Sequence, residues 1–207
     1  MATRKPQSPL LPETISSLEE LRVGVGGCQR CPLWQRATHG VPGEGATKAS
    51  VMLIGEQPGD QEDLAGKPFV GPAGKLLDRA LVEAGIDRAT VFVTNVVKHF
   101  SWTERGKRRL HKKPTDREIE ACVAWLHAEI RIVRPDTIVC LGSTAAQTLL
   151  GRDIKVTVDR GRLFESDLAR RVLVTVHPSS ILRVPSEARA EAYARLVADL
   201  ERIRAPE

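Results

Sequence analysis

The chain has 207 residues, of which 42% are hydrophobic and 28% charged, and its formal net charge is +5. This balance is typical of one globular domain with a sizeable core. No apolar run approaches the roughly 20 residues that cross a bilayer, and the basic N-terminus lacks a stretch of signal-peptide length, which argues against membrane and exported proteins. We predict a cytoplasmic protein with a flexible tail over residues 1–12 and a single domain over residues 13–207.

Short apolar runs alternate along the chain with segments of helical spacing. Strands are predicted at residues 51–55, 91–97, 136–141 and 171–176. Helices are predicted at residues 72–84, with Pro72 in the first turn, near 143–150, and from about 186 to 204. A further helix opens with a capping box formed by Thr115 and Glu118 and runs to about Val133.

This alternation predicts a three-layer α/β/α sandwich around a mainly parallel four-stranded central sheet. Ligands bind such sheets beyond the carboxyl ends of the strands. Unusual residues occur at three of these ends: GEQPG at 55–59, Asn95, and HPSS at 177–180. We therefore expect one cleft where these segments meet.

Basic residues are concentrated between Lys98 and Arg117. This segment holds eight Lys or Arg and two acids, a net of +6, so the rest of the chain is close to neutral. Such an excess favours a polyanionic partner, because phosphate contacts release condensed counterions. A solvated basic loop without a partner is the alternative.

Four cysteines are present, and two of them, Cys28 and Cys31, form a C-x-x-C pair. Without an export signal, metal ligation is a better interpretation than a disulfide. The pair is typical of both iron–sulfur and zinc sites. Cys140 lies inside an apolar strand, where a free cysteine is usually a small core residue.

Several segments in order resemble one known family. The stretch GEQPGDQEDLAGKPFVGPAGKLL (55–77), Asn95 within VTNVVK, and HPSS at 177–180 resemble motifs of family 4 and related uracil-DNA glycosylases. The resemblance extends from about Cys28 to the C-terminal helix. The insert Gly106-Lys-Arg-Arg-Leu-His111 is similar to the KRRIH loop of UdgX-type glycosylases, which become covalently linked to DNA after removing uracil; Leu110 stands here in place of Ile.

The resemblance implies an activity and its partners. The protein is expected to excise uracil from DNA, either single-stranded or with the base flipped out, to release free uracil, and to act as a monomer. It would then be linked through His111 to C1′ of the abasic deoxyribose. Glu56, His177 and Asp60 would complete the catalytic group. Two alternatives remain: a conventional family 4 glycosylase with multiple turnovers, and a non-catalytic, metal-stabilised DNA-binding module.

The chemistry of base excision suits residues at the predicted cleft. His177 can donate a hydrogen bond to a uracil carbonyl as charge develops there. The amide of Asn95 can contact the uracil edge as donor and acceptor. Phe69 can stack on the flipped base, and the resemblance implies that Gln57 contacts the base. The structural alternatives are a histidine that caps a strand end, a turn asparagine and a core phenylalanine.

A nucleophilic His111 must be neutral, with a free lone pair. Cations in the same loop, such as Lys107, Arg108 and Arg109, are expected to lower its pKa. Glu56 is expected to orient the ring. A phosphate-contacting histidine is the alternative from the loop alone.

Surface roles are expected for the other charged residues of these motifs. Glu62 and Asp63 are interpreted as surface charge.

Ile181, Leu182 and Arg183 could form a wedge that fills the gap left by the base, or a plain loop. The residues predicted to bind DNA are Lys107, Arg108, Arg109, Ser179 and Arg183.

The metal site is completed only by the resemblance. Cys122 matches a family 4 ligand position, and the remaining ligand position holds His99 instead of cysteine. We therefore predict a four-iron, four-sulfur cluster with a structural task, and zinc is the alternative. The predicted ligands are Cys28, Cys31, His99 and Cys122.

Overall fold

The computed structural model describes residues 10–204. The strands are β1 Glu44–Gly45, β2 Val51–Gly55, β3 Val91–Asn95, β4 Trp102–Arg105, β5 Arg108–His111, β6 Thr137–Leu141, β7 Leu163–Ser166 and β8 Ala169–Thr175. The α-helices are α1 Leu18–Gly26, α2 Asp60–Ala65, α3 Pro72–Glu83, α4 Asp116–Val133, α5 Ser143–Leu150, α6 Val156–Asp159, α7 Pro178–Leu182 and α8 Ser186–Glu201.

The main sheet has six strands in the order β1-β3-β2-β6-β8-β7. Its four central strands, β3, β2, β6 and β8, run parallel and are the four that the sequence predicts. The short edge strands β1 and β7 are antiparallel and were not predicted. Neither β1, with two residues, nor β7, with the pattern LFES, has the apolar run of a buried strand.

Helices cover both faces of the sheet, because the central strands are apolar on both. Along β2, Met52 and Ile54 belong to one core cluster, which includes residues of α1, α4 and α5. Val51 and Leu53 belong to the other, which includes residues of α3 and α8. Successive side chains of a strand point to opposite faces. The predicted α/β/α sandwich is confirmed.

The predicted capping box of α4 is also confirmed. Thr115 Oγ1 accepts a hydrogen bond from Glu118 N at 3.3 Å, and Glu118 Oε2 accepts one from Thr115 N at 2.7 Å. The last helix, α8, ends at Glu201, slightly before the predicted boundary.

The basic insert is a β-hairpin rather than the loop that the sequence analysis assumed. Strands β4 and β5 pair antiparallel, with Trp102 opposite His111 and Arg105 opposite Arg108. The two-residue connection begins with Gly106 at φ 60°, a conformation that glycine adopts without strain. This register places His111 at the base of the hairpin and Lys107 at its tip.

The predicted tail lies mostly outside the described residues. Pro12 is buried, and its carbonyl accepts a hydrogen bond from Arg131 Nη2 at 2.9 Å. Among residues 10–204, no helix is long and apolar enough to cross a membrane.

Candidate active site

A cavity of about 740 Å³ opens at the carboxyl ends of the parallel strands. It is lined by residues that follow three of these strands, and by the base of the hairpin. The predicted site residues in its wall are Glu56, Gln57, Phe69, Asn95, His111, His177, Ser179 and Arg183. The predicted site residues Asp60, Lys107, Arg108 and Arg109 are not part of this wall.

Three of the lining side chains converge on the end of β2. A Cβ atom built on Gly55 would lie 2.4 Å from Asn95 Oδ1, 2.9 Å from Phe69 Cζ and 3.4 Å from His177 Nε2. Any side chain at position 55 would therefore displace the polar and aromatic groups around it. The absence of a side chain at Gly55 lets these three groups approach the end of β2.

Phe69 is held in an unusual backbone conformation. Its φ is 56°, which is strained for a residue with a bulky side chain, and its ring lies 6.0 Å from that of His177 at 27°. The Glu62 carboxylate joins the turns on either side, because it accepts hydrogen bonds from Gly59 N at 3.1 Å and Gly71 N at 2.7 Å. The prediction that Glu62 is a surface charge is wrong: it is buried.

The ring of His177 is oriented by the backbone of the helix that follows it. Ser179 N donates to His177 Nδ1 at 3.2 Å, so Nδ1 carries the lone pair and the neutral ring holds its proton on Nε2. Burial, the largest cause, together with the nearby His111 and Arg183, lowers the pKa of His177 to about 4. A neutral donor thus faces the cavity from Nε2.

Glu56 has a different partner on each carboxylate oxygen. Oε1 lies 3.3 Å from His111 Nε2, and Oε2 accepts a hydrogen bond from the Thr144 hydroxyl. The carboxylate therefore lies between the base of the hairpin and the start of α5. Phe100 packs against the His111 ring, with their centroids 6.3 Å apart.

The pKa of His111 is lowered, as predicted, but the main cause differs from the predicted one. Partial burial lowers it most, and Arg183 lowers it further; Glu56 and a hydrogen bond to the residue's own backbone act in the opposite direction. The hairpin cations Lys107 and Arg108 are exposed and do not contribute.

Arg109 holds the hairpin against α2. Its Nε donates to Asp60 Oδ1 and its Nη1 to Asp63 Oδ2, both at 2.6 Å. Asp63, which was interpreted as surface charge, is fully buried and also accepts hydrogen bonds from the backbone of Thr38 and His39, so that interpretation is wrong. Asp60 is exposed and paired with Arg109, outside the cavity wall.

Gln57 closes the base of the hairpin. Its amide nitrogen donates to the carbonyls of Ser101 at 3.1 Å and Lys112 at 3.0 Å, and its amide oxygen accepts from Ser101 N at 2.9 Å. The side-chain amide of Gln57, which was predicted to contact uracil, is engaged by the two ends of the hairpin.

A buried ion pair beneath Asn95 was not predicted. Lys98 Nζ lies 2.7 Å from each of Glu129 Oε2, Thr94 Oγ1 and Asn95 O, and both charged side chains are fully buried. The available sequence signals were a lysine that ends the apolar run VTNVVK and a glutamate on the apolar face of α4. In the sequence, Lys98 looks instead like one of the solvated cations of the basic segment 98–117.

Three cysteines form one group near α4. Burial is the largest cause that raises the pKa of Cys122 to about 12, and Cys31 and Cys28 act in the same direction. Burial also raises the pKa of Cys31, and Cys28 contributes to this shift. Trp125 Nε1 donates to Cys28 Sγ and Lys98 N to Cys122 Sγ, both at 3.2 Å. Cys140 lies apart in the core, as predicted.

These sulfur atoms fit a bound cluster chemically, because N–H groups that point at sulfur stabilise the thiolate form that binds metal. His99 is buried with a lowered pKa, mainly through burial, so its ring is neutral, as a metal ligand must be. A Cβ atom built on Gly40 would contact both His99 Nε2 and Val25 O. Val25 O also accepts a hydrogen bond from Cys28 N, so Gly40 lies between His99 and the segment that carries Cys28. Within residues 10–204, no three His, Cys, Asp or Glu side chains are arranged to share a single metal ion.

Comparison with known proteins agrees with this geometry. The model of the uracil DNA glycosylase superfamily matches residues 42–201. The type-4 uracil-DNA glycosylase of Pyrobaculum aerophilum is 38% identical over 176 residues, which cover 82% of this chain and 86% of that protein. The type-4 enzyme of Thermotoga maritima is 39% identical over 160 residues (77% and 80%), and a type-5 enzyme of P. aerophilum is 28% identical over 203 residues (88% and 86%). The chain belongs to the uracil-DNA glycosylase superfamily.

Proposed function

We propose that this protein excises uracil from DNA and is then linked covalently, through His111, to C1′ of the abasic deoxyribose. The observation that carries the proposal is the position of His111 Nε2, 3.3 Å from Glu56 Oε1, in the wall of the cavity that also holds Asn95 and His177. The attacking and base-binding groups thus share one cavity.

Uracil enters the cavity after rotation out of the base stack. Phe69 packs against its face, and the Asn95 amide contacts its polar edge. His177 Nε2–H donates to a carbonyl oxygen, and this hydrogen bond strengthens as N1 takes the electron pair of the breaking C1′–N1 bond. The neutral state of His177, with its pKa at about 4, suits a donor that does not change charge during the reaction.

Capture follows departure of the base. The free lone pair of the neutral His111 ring forms a bond to the electron-poor C1′ carbon, and the ring becomes a positively charged N-alkyl imidazolium. The Glu56 carboxylate stabilises first the sugar cation and then this imidazolium. The attached nitrogen has no proton to lose, so the adduct cannot become a hydrolysable Schiff base as a lysine adduct would, and it persists.

DNA binding is assigned to the exposed cations of the hairpin tip, together with two residues of the cavity wall. Lys107 and Arg108 lie at the tip, and Arg183 and Ser179 line the cavity. Phosphates bound along this path would belong to a single strand or to a duplex with one base flipped out. Arg109 contributes by holding the hairpin in place. We propose that one chain suffices as the functional unit, since both sides of the cavity come from it.

Cys28, Cys31, His99 and Cys122 are the residues that would hold a four-iron, four-sulfur cluster, with zinc as the alternative metal. The bound group would cross-link the segment around Cys28 to α4 and the end of β3. The hydrogen bond from the Lys98 ammonium group to the Asn95 carbonyl then keeps these two residues in position.

The test uses His111→Ala with a uracil-containing single strand. We expect the variant to give no denaturant-stable adduct on a gel or in an intact-mass spectrum, because the nucleophile is gone, whereas the wild type gains the mass of the abasic strand. His127→Ala, which alters an exposed histidine on α4, serves as the control. An adduct of undiminished yield in the His111 variant would refute the assignment.

A conventional glycosylase with multiple turnovers is the second candidate. It is favoured by the type-4 relatives and by the partial exposure of Glu56, whose side chain is 21% accessible and can therefore meet water. It predicts more than one uracil released per protein, with no adduct. A DNA-binding module without activity predicts no uracil release at all.

A further inference from the structure

Thr144 fixes the orientation of the Glu56 carboxylate. Its hydroxyl donates to Oε2, so Oε1 is the oxygen that faces His111 Nε2 at 3.3 Å. A carboxylate held by one oxygen has little freedom to rotate, whereas an unheld one turns towards water. The hydroxyl thereby decides what the second oxygen contacts.

The donor itself is held by a rigid part of the fold. Thr144 is 4% exposed and lies in the first turn of α5. Gly142, just before the helix, donates its N–H to Thr175 O on β8 at 2.9 Å, which joins the start of α5 to the strand that leads to His177. β-Branching limits the rotamers of Thr144 within the helix.

A purely structural task does not account for this hydroxyl. The N-terminal cap of α5 is Gly142, and no side chain caps the helix. The Thr148 hydroxyl donates a hydrogen bond to the Thr144 carbonyl at 2.7 Å, and not to the Thr144 hydroxyl. The hydroxyl is thus used for the Glu56 carboxylate, inside the cavity wall.

We propose that Thr144 is a positioning residue that favours capture by His111 over hydrolysis; this inference rests on the function proposed above. After uracil leaves as its N1 anion, two nucleophiles compete for C1′. In capture, the free lone pair of the neutral His111 ring bonds to C1′, and the imidazolium charge lies beside Glu56 Oε1. In hydrolysis, water bonds to C1′ and loses a proton to the Glu56 carboxylate, which leaves an abasic sugar.

The position of the carboxylate decides this competition. With Oε2 held by Thr144, Oε1 stabilises the imidazolium that forms in capture. Without the hydroxyl, the carboxylate is free to accept a hydrogen bond from water and to act as its general base. Loss of the hydroxyl therefore shifts the products from adduct to free abasic strand, and uracil release continues.

The test measures two products from one reaction: free uracil, and the adduct on a denaturing gel, with protein in excess over a uracil-containing single strand. Thr144→Val keeps the side-chain shape and removes the donor; we expect its ratio of adduct to released uracil to fall about tenfold, the effect of one charge-assisted hydrogen bond. Thr144→Ser should restore the ratio. Thr148→Val, one turn further along α5, should leave it unchanged.

Two further arms make the outcome decisive. In a Glu56→Gln background, Thr144→Val should change the ratio no further, because Thr144 acts through Glu56. An unchanged ratio in Thr144→Val, with unfolding temperatures equal to wild type, would overturn the inference alone. Uracil release by the wild type without any adduct would overturn the capture mechanism and, with it, the role of Thr144.

Discussion

Two histidines line the cavity, and each is kept neutral. His177 loses its affinity for a proton mainly through burial, and the same cause acts on the half-exposed His111. The first ring presents an N–H to the cavity, because its Nδ1 accepts from Ser179 N. The second must present a lone pair to react as proposed. Similar electrostatics thus support two different proposed tasks.

The lowered pKa of His177 predicts a loss of stability in acid. The unfolded residue binds a proton below its ordinary pKa of 6.5, but the folded one does so only near 4, so stability falls as the pH drops from about 7 towards 4. For this partly buried ring, we expect a contribution of about 1 to 2 kcal/mol between pH 7 and pH 5. Urea unfolding of wild type and His177→Gln at both pH values measures it.

The glutamine variant should lose less stability over this interval, because it lacks the titrating ring. Other groups that titrate remain the same in both proteins and cancel in the comparison. An equal loss in the two proteins would contradict the assigned pKa.

At the scale of elements, the β4–β5 hairpin determines where His111 lies. Gln57 joins the two ends of the hairpin, and Arg109 ties its second strand to two carboxylates of α2. The Asn95 and His177 side chains belong to the main sheet and the start of α7. The element that carries the proposed nucleophile is therefore separate from those that carry the residues proposed to bind the base.

This separation predicts the effect of Arg109→Ala. The variant should lose about tenfold or more in adduct yield, since two charge-assisted hydrogen bonds no longer hold the hairpin. Uracil release should change by only a few-fold, because the base-binding residues remain in place. Both products are measured as for the Thr144 variants.

Arg152→Ala is the matched control, because Arg152 also pairs with a carboxylate, Asp116, but both side chains are exposed and neither belongs to the hairpin. Its adduct yield should equal that of the wild type. If Arg109→Ala lowered uracil release as strongly as adduct yield, the hairpin would be part of base binding as well.

At the scale of the whole molecule, one residue joins the cysteine group to the cavity. The backbone N–H of Lys98 points at Cys122 Sγ, and its ammonium group binds the carbonyl of Asn95. The ammonium also pairs with Glu129 on α4, at 0% exposure of both side chains. The end of β3 and the middle of α4 are thereby locked together behind the cavity.

Removing one member of this pair should strongly destabilise the fold. In Lys98→Met, the Glu129 carboxylate would remain buried without its cation, and we expect the free energy of unfolding to fall by about 3 to 5 kcal/mol. Lys98→Met/Glu129→Gln should recover part of that loss, because no buried charge is left unpaired. Urea unfolding gives the three values.

Lys107→Met is the control for the Lys98 variant, since Lys107 is exposed at the hairpin tip and its replacement should change stability by no more than about 0.5 kcal/mol. A Lys98→Met protein as stable as this control would show that the buried pair does not hold β3 and α4 together.

The periodicity of the chain was sufficient to predict the sandwich and its four parallel strands, because a strand buried on both faces needs a continuous apolar run. Motif order was likewise sufficient to place Asn95 and His177 at one edge of the sheet. Both depend on local patterns that the fold preserves.

Only the tertiary structure decided which charged residues face the cavity. Glu62 and Asp63 are buried because backbone N–H groups from distant turns reach their carboxylates, and Lys98 is buried because Glu129, 31 positions away, neutralises it. A charge run in the sequence does not reveal such partners. Burial of a charge depends on long-range pairing, which is set when the chain has packed.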